Sequence, residues 1–169
     1  MAVSTLQSNA KGIVPVGTIS GGPGNVPMLY GYEGGSTQSW IAGAVLIRSS
    51  GYLIEASADP TADIIGIAAG SASGTQGTLV PYYPISQNII WEGTLEDQSN
   101  EDHALVITNM YTDYGLQTDT PGNWYVDENE TSNTSVMILA PRDWDDVVNA
   151  TVRARVKFVF LSDVLARQT

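Results

Sequence analysis

The run that most constrains the fold lies near the C-terminus, where apolar and polar side chains alternate over residues 149–161. One side of the alternation carries Val152, Ala154, Val156, Phe158 and Phe160, and the other carries Arg153, Arg155 and Lys157. Because successive side chains of a β-strand point to opposite faces, this period of two indicates a strand with one buried face. No apolar stripe with the helical spacing of about 3.6 residues persists over about 12 residues, so the helices that an α/β fold needs are not expected. We therefore predict an all-β fold.

Short β-type runs separated by turn residues fill the chain after residue 38. The runs 40–47 and 52–57 are joined through Gly51, which can take the positive φ that a hairpin turn needs. Further strands are expected at 64–72, 79–85, 88–95, 103–111, 114–116, 124–127 and 135–140. The pattern predicts a β-sandwich or β-barrel body of short antiparallel strands over residues 39–169.

Residues 1–38 differ from the rest, because they are rich in Gly, Pro, Ser and Asn and show no regular periodicity. They contain too many apolar side chains for a flexible linker, so we predict an extended N-terminal arm that docks onto something. A disordered tail is the alternative for such a composition. The candidate contact residues of the arm are Ile13, Val14, Val16, Ile19, Val26, Met28 and Leu29. On the closing strand, Arg153, Arg155 and Lys157 are further candidates for contacts with acidic groups.

The charge balance narrows the choice of partner. The chain has 18 acidic and 7 basic residues, and its net charge is −11. Nucleic acids and anionic membranes are bound mainly through Lys and Arg, so neither is expected as a partner. Thirteen of the acids lie in residues 91–150, where Arg142 is the one base. No run is long and apolar enough for a membrane span, and no secretory signal is recognised, so we expect a protein made in the cytoplasm.

The sequence has few of the residues and motifs that nucleophilic catalysis, thiol chemistry or phosphate binding would require. The sequence has no cysteine, and its one histidine, His103, lies in an acidic stretch. The motifs G-x-S-x-G and H-E-x-x-H and the Walker sequence are missing, and the glycines at 21–24 lack the lysine that a phosphate loop needs. We therefore predict no catalytic residues, no cofactor and no enzymatic activity.

Two weaker possibilities come from acidic and aromatic side chains. Glycoside hydrolysis needs two carboxylates at a defined separation, and abundance alone offers Glu92, Glu96, Asp97, Glu101 and Asp102. A sugar-binding platform could use Tyr82, Tyr83, Trp91, Trp124, Tyr125 and Trp144, although buried aromatics in a β-sandwich are usually core. The acidic segments 127–130 and 143–146 supply oxygen ligands but do not fit the pattern of a calcium loop, so no metal site is predicted and a structural calcium ion is the minor alternative.

One region resembles a known family. The likeness is carried by the segments IAGAVL (41–46), SGYL (50–53), EA (55–56), ADP (58–60) and IIGIA (64–68). It continues through YGL (114–116), WYVD (124–127) and the closing alternating strand, so it covers about 130 residues after the arm. This pattern is similar to that of the decoration, or cement, proteins of tailed-bacteriophage capsids.

The resemblance implies a non-enzymatic virion protein on the outer capsid surface, which binds the major capsid protein of the assembled shell and reinforces the lattice. It also implies a homotrimer. The residues themselves are compatible with this expectation, because they offer a docking arm, an acidic body and no catalytic motif. The alternative is a β-sandwich carbohydrate- or receptor-binding module of a virion fibre.

Overall fold

The computed structural model describes residues 12–21, 26–35, 38–96, 107–119, 123–142 and 154–166. Within these ranges the chain forms eleven β-strands and a single 3₁₀ turn at Ile107–Asn109. The strands are β1 (Val14–Thr18), β2 (Leu29–Tyr32), β3 (Val45–Ser49), β4 (Tyr52–Glu55), β5 (Ile64–Ala68), β6 (Leu79–Pro84), β7 (Ile89–Glu96), β8 (Asp113–Asp119), β9 (Asn123–Asp127), β10 (Val136–Pro141) and β11 (Arg155–Phe160). The prediction of an all-β body is confirmed.

The first sheet has the order β1-β7-β11-β10-β8-β9 and resembles a barrel. Its ring is closed by a parallel pairing of β7 with β9, in which Glu96 lies opposite Asp127. The other pairings are antiparallel, as the sequence predicts. One edge of β7 is shared, because residues 89–92 pair with β1 and residues 94–96 pair with β9.

The second sheet is antiparallel and has the order β2-β6-β5-β3-β4. Its β3–β4 hairpin turns at Ser50 and Gly51, whose φ angles are 50° and 86°. Two successive positive φ angles are those of a type I′ turn, which matches the twist of the flanking strands. This confirms the predicted hairpin. The two ends of the sheet approach each other where Glu33 forms an isolated bridge with Leu53.

A single hydrophobic core joins the two sheets. Trp91 and Phe158 are fully buried on β7 and β11, and the ring of Trp91 meets that of Phe160 edge-on at 5.8 Å between centroids. The apolar face predicted for the closing strand is confirmed for Ala154, Val156, Phe158 and Phe160, which are at most 1% exposed. Val152 lies outside the described residues.

The arm predicted for residues 1–38 is extended where the structure describes it, and it is paired with the body. β1 joins the first sheet beside β7, and β2 joins the second sheet beside β6. Ile13, directly before β1, is 1% exposed and belongs to the core. The described part of the segment is therefore built into both sheets.

The strand expected at 103–111 is wrong for its described part. Residues 107–109 form the 3₁₀ turn, and Tyr111 takes the left-handed conformation with φ of 60°. The Thr112 hydroxyl donates a hydrogen bond to the Thr108 carbonyl across this turn. A β-rich composition is not enough here, because this local bond satisfies the Thr108 carbonyl within the turn, and bonding to β10 begins only at the Tyr111 amide, which donates to the Ile138 carbonyl.

Candidate interaction surface

Exposed apolar side chains are concentrated in the N-terminal part of the chain. Among the described residues ten large hydrophobic side chains are exposed, and seven of them belong to residues 14–32. These seven are Val14, Val16, Ile19, Met28, Leu29, Tyr30 and Tyr32. Five of them are among the predicted contact residues. Of the other two candidates from this segment, Ile13 is buried and Val26 is partly buried against the core.

The first cluster, here called the β1 edge, consists of Val14, Val16 and Ile19, which are 43%, 40% and 58% exposed. β1 ends the first sheet, and its register with β7 shifts between Pro15 and Gly17. Proline and bulges are common at sheet edges, where they limit uncontrolled pairing with other strands. The sequence therefore protects this edge while leaving its apolar side chains accessible.

The second cluster, here called the β2–β6 face, consists of Tyr30, Tyr32 and Leu79, which are 55–60% exposed. Tyr30 and Tyr32 are two residues apart on β2, so they share a face, and Leu79 lies opposite Tyr32 on β6. Tyrosines bury a large area at low conformational cost and are enriched in interfaces. Sequence reasoning missed all three, although the period-two spacing of the tyrosines in LYGY was a usable signal.

The basic residues of the closing strand do not form the exposed row that the alternation suggests. Arg155 is 5% exposed, and its Nε donates a hydrogen bond of 2.6 Å to Glu92 Oε1. Arg142 Nη1 also lies 3.9 Å from that oxygen. Arg155 thus pairs with the predicted acidic segment, but within its own chain, because β7 and β11 are neighbours in the sheet.

The other two basic candidates are placed differently. Lys157 is half-buried and lies opposite Glu92 in the β7–β11 register. Opposite charges at such cross-strand positions contribute about 0.2–1 kcal/mol to a sheet. Arg153 lies outside the described residues. Of the three predicted basic contacts, Lys157 is thus the one with a partly exposed, described side chain.

The aromatic side chains considered for a sugar platform are largely core. Trp91, Trp124 and Tyr125 are at most 5% exposed. Tyr82 and Tyr83 are partly buried and pack against the core cluster. The usual interpretation of aromatics in a β-sandwich therefore applies to these five, and Trp144 lies outside the described residues.

Of the carboxylates considered for glycoside hydrolysis, the structure describes Glu92 and Glu96, and these two do not face each other across a cleft. Glu92 is held by Arg155, and Glu92 and Glu96 are four residues apart on β7, about 13 Å along an extended strand. Glu96 lies opposite Asp127, but these two residues are 3% and 0% exposed, so a sugar ring cannot reach between them. Asp97, Glu101, Asp102 and His103 lie outside the described residues. Within the described part of the chain, no group of three or more metal-ligating side chains occurs.

Four acidic side chains lie around Tyr125, of which Glu96 and Asp127 are buried and Asp59 and Asp119 are partly exposed. Burial, together with the negative charges of Asp127, Glu96, Asp119 and Asp59, raises the pKa of Tyr125 to about 12. Burial also raises the pKa of Asp59, and the charges of Glu130 and Asp127 add to this effect. Hydrogen bonds from the backbone amides of Asn133 and Ser132 lower the pKa of Glu130. Negative charge is therefore concentrated where Asp59, from the loop after β4, meets Asp127 and Glu130, from β9 and the turn that follows it.

Comparison with known proteins returns no match among protein-family models, curated proteins or solved structures. The described residues contain no helix of the length and hydropathy needed to traverse a bilayer. The features that bear on function are thus the β1 edge, the β2–β6 face and the acidic surroundings of Tyr125.

Proposed function

We propose that this chain is a non-enzymatic decoration protein, which binds the outside of an assembled tailed-phage capsid and stabilises the shell. The observation that carries the proposal is the concentration of exposed apolar side chains in residues 14–32, on strands that are anchored in the body. Exposed apolar groups on a well-packed domain mark interaction sites, and a fixed scaffold lowers the entropic cost of binding. The sequence resemblance to cement proteins supports the same function.

Such a protein needs no chemistry, since binding alone can reinforce a lattice. A ligand that binds the assembled state and not the dissociated state stabilises assembly by about 2.7 kcal/mol at a hundredfold excess over its Kd. Repeated at many lattice positions, this contribution becomes large. The net charge of −11 disfavours binding to the packaged nucleic acid, so a protein is the expected partner.

The direct test is co-sedimentation with purified shells of the virus that encodes the chain, with unassembled capsid protein as the comparison. We expect the chain to sediment with shells and to ignore free subunits. The shells should also withstand a higher temperature when they are decorated. Equal binding to subunits and shells, or no binding to either, would rule out a cement function.

Surface variants test the binding surface better than a deletion does, because removing residues 1–38 would also remove two paired strands and Ile13 from the core. We expect Tyr30→Ser combined with Tyr32→Ser to weaken shell binding at least about tenfold, as for interface anchors worth more than 1.4 kcal/mol. Tyr111→Ser is the matched control, since Tyr111 is 74% exposed and belongs to neither cluster. A tyrosine-dependent signal on a glycan array without shell binding would favour the fibre module.

The proposal includes a homotrimer, in which copies cover one another's sheet edges. The β1 edge supports this idea, because it ends the first sheet and carries three exposed apolar side chains. Closed symmetric assembly is a common way to bury such edges. Light scattering at micromolar concentration should give three times the chain mass of 18.0 kDa, and Val14→Ser with Val16→Ser should lower it. A wild-type monomer that also binds shells as a monomer would remove the trimer from the proposal.

A further inference from the structure

The loop between β4 and β5, residues 56–63, fastens the second sheet to the first, as does the hydrogen bond that Trp124 Nε1 on β9 donates to Glu55 Oε1 at the end of β4. The backbone amide of Asp59 donates to the Leu116 carbonyl on β8 at 2.9 Å. The Ser135 hydroxyl, beside β10, donates a hydrogen bond to the Pro60 carbonyl. Gln117 Nε2 on β8 also approaches Asp59 Oδ2 at 3.4 Å. Two neighbouring residues of one loop thus bond to β8 and to the residue that precedes β10.

Asp59 has an unfavourable backbone conformation and a buried carboxyl oxygen without a hydrogen-bond partner among the described residues. Its φ is 52°, in the left-handed region that non-glycine residues rarely adopt. Its Oδ1 is buried and has no hydrogen-bond partner among the residues that the structure describes. A buried acceptor without a partner costs free energy, and an ionised one costs more. The loop therefore carries strain at the residue that makes two of its cross-sheet bonds.

The groups facing Asp59 from the first sheet increase this cost. They are Asp127 on β9, Glu130 in the turn after β9, and Tyr125, whose pKa of about 12 keeps its phenol neutral at physiological pH. Because the pKa of Glu130 is lowered while that of Asp59 is raised, Glu130 stays ionised in the range where Asp59 takes up a proton. When Asp59 is ionised, its carboxylate is therefore repelled by the negative charges of Glu130 and Asp127.

We propose that the 56–63 loop is a pH-sensitive latch, which holds the two sheets together more tightly when the Asp59 carboxyl is protonated. Protonation removes the like-charge repulsion with Glu130 and Asp127 and turns one carboxyl oxygen into a donor. Deprotonation restores the repulsion and loosens the loop. The inference rests on the fold alone and does not depend on the proposed function.

The direction of the effect follows from linkage. The pKa of Asp59 is higher in the folded chain than its ordinary value of 3.8, so the folded state binds this proton more tightly than the unfolded chain does. Its stabilising contribution is complete below about pH 4 and is lost as the pH rises through the folded pKa. The latch is thus strongest below the ordinary pKa of 3.8 and weakens as the pH rises above it.

Amide hydrogen exchange followed by NMR tests the latch at the Asp59 amide, which is bonded across the sheets. Its protection factor, corrected for intrinsic exchange, should fall as the pH is raised from below the ordinary carboxyl pKa of 3.8 towards neutrality, by up to about tenfold for each unit of pKa difference. The Gly34 amide, bonded to the Leu53 carbonyl within the second sheet, serves as the internal reference. Protection at Asp59 that does not change relative to Gly34 would overturn the proposal.

Asp59→Asn separates charge from shape, since Asn tolerates the left-handed conformation and cannot ionise. The backbone amide of residue 59 in this variant should keep the acid-state protection over the whole pH range. Asp63→Asn is the matched control, because Asp63 lies in the same loop with φ of 58° but is exposed, and it should retain the wild-type pH profile. Glu130→Gln should reduce the slope without abolishing it. An Asp59→Asn profile with the wild-type slope would show that another group drives the change.

Discussion

β1 and β2 come from the same Gly- and Pro-rich segment, yet they are anchored to the body by opposite means. Beside β1, Ile13 inserts an aliphatic side chain into the core and is 1% exposed. Directly after β2, Glu33 is 0% exposed, and its carboxylate accepts hydrogen bonds of 2.7–2.8 Å from the Ser73 and Gly74 amides and the Ser73 hydroxyl. Each strand is thus fixed at one end by a single fully buried side chain.

The difference shows that a segment of exposed, irregular sequence can be ordered by isolated anchors. An apolar anchor gains free energy by leaving water, whereas a buried carboxylate is tolerated only when its oxygens are hydrogen-bonded. The first kind of anchor depends on filling its space in the core. The second depends on one loop, residues 73–74, keeping its donors in place.

The largest effect is expected from the apolar anchor. Ile13→Ala removes a fully buried side chain and leaves a cavity, so the free energy of unfolding should fall by about 2–5 kcal/mol. Urea denaturation measures it. The matched control is Val14→Ala, one residue further along and 43% exposed, which should change stability by less than about 0.5 kcal/mol. Equal losses for the two variants would show that β1 is not anchored at Ile13.

The close approach of Gly43 to the start of β1 gives the next prediction. Gly43 has φ of 92°, and a Cβ there would lie 2.6 Å from the Gly12 Cα. Gly43→Ala should therefore cost at least about 2 kcal/mol, more than the 1–2 kcal/mol of left-handed strain alone. Gly51→Ala isolates that strain, because Gly51 has φ of 86° and open space around it. Identical costs in thermal unfolding would mean that β1 moves aside freely.

The carboxylate anchor of β2 is expected to contribute somewhat less. Glu33→Gln keeps one acceptor but presents an NH₂ group to the buried donors of Ser73 and Gly74, so stability should fall by about 1–3 kcal/mol. Asp113→Asn, at an exposed position, is the control for loss of one negative charge. Chemical denaturation of both variants provides the comparison. A neutral Glu33→Gln variant would mean that the loop at 73–74 does not hold β2.

These anchors mark the limit of what the sequence could predict. Local patterns predicted the β3–β4 hairpin through Gly51 and the buried face of β11, because turn chemistry and alternation act over a few residues. Alternation gives the side on which a residue lies, but not what covers that side. Arg155 is therefore buried against Glu92, although its position alone suggested solvent.

The pairing of strands that are distant in the chain could not be predicted from the sequence either. The parallel contact of β7 with β9, which closes the first sheet, and the pairing of β1 and β2 with distant strands depend on tertiary packing. Five of the seven candidate contact residues of the N-terminal segment are exposed. They belong to β1 and β2 or lie next to them, and these strands are at the ends of their sheets, where one side of a strand has no neighbour. Composition could not distinguish Ile13 from Val14, since both are β-branched apolar residues and one is buried while the other is exposed.

The smallest effect on stability should come from the exposed residues between the anchors. Val16 lies at the register shift of β1, without a partner residue in the β7 register, and is 40% exposed. Val16→Thr preserves the β-branched shape, so the free energy of unfolding should change by less than about 0.5 kcal/mol. Tyr30→Thr makes the corresponding change on β2, where the side chain is 60% exposed. Because both variants keep their anchors, any loss of shell binding that they show is assigned to the surface itself. If Val16→Thr destabilised the fold as much as Ile13→Ala does, the division of β1 into a buried anchor and an accessible edge would be wrong.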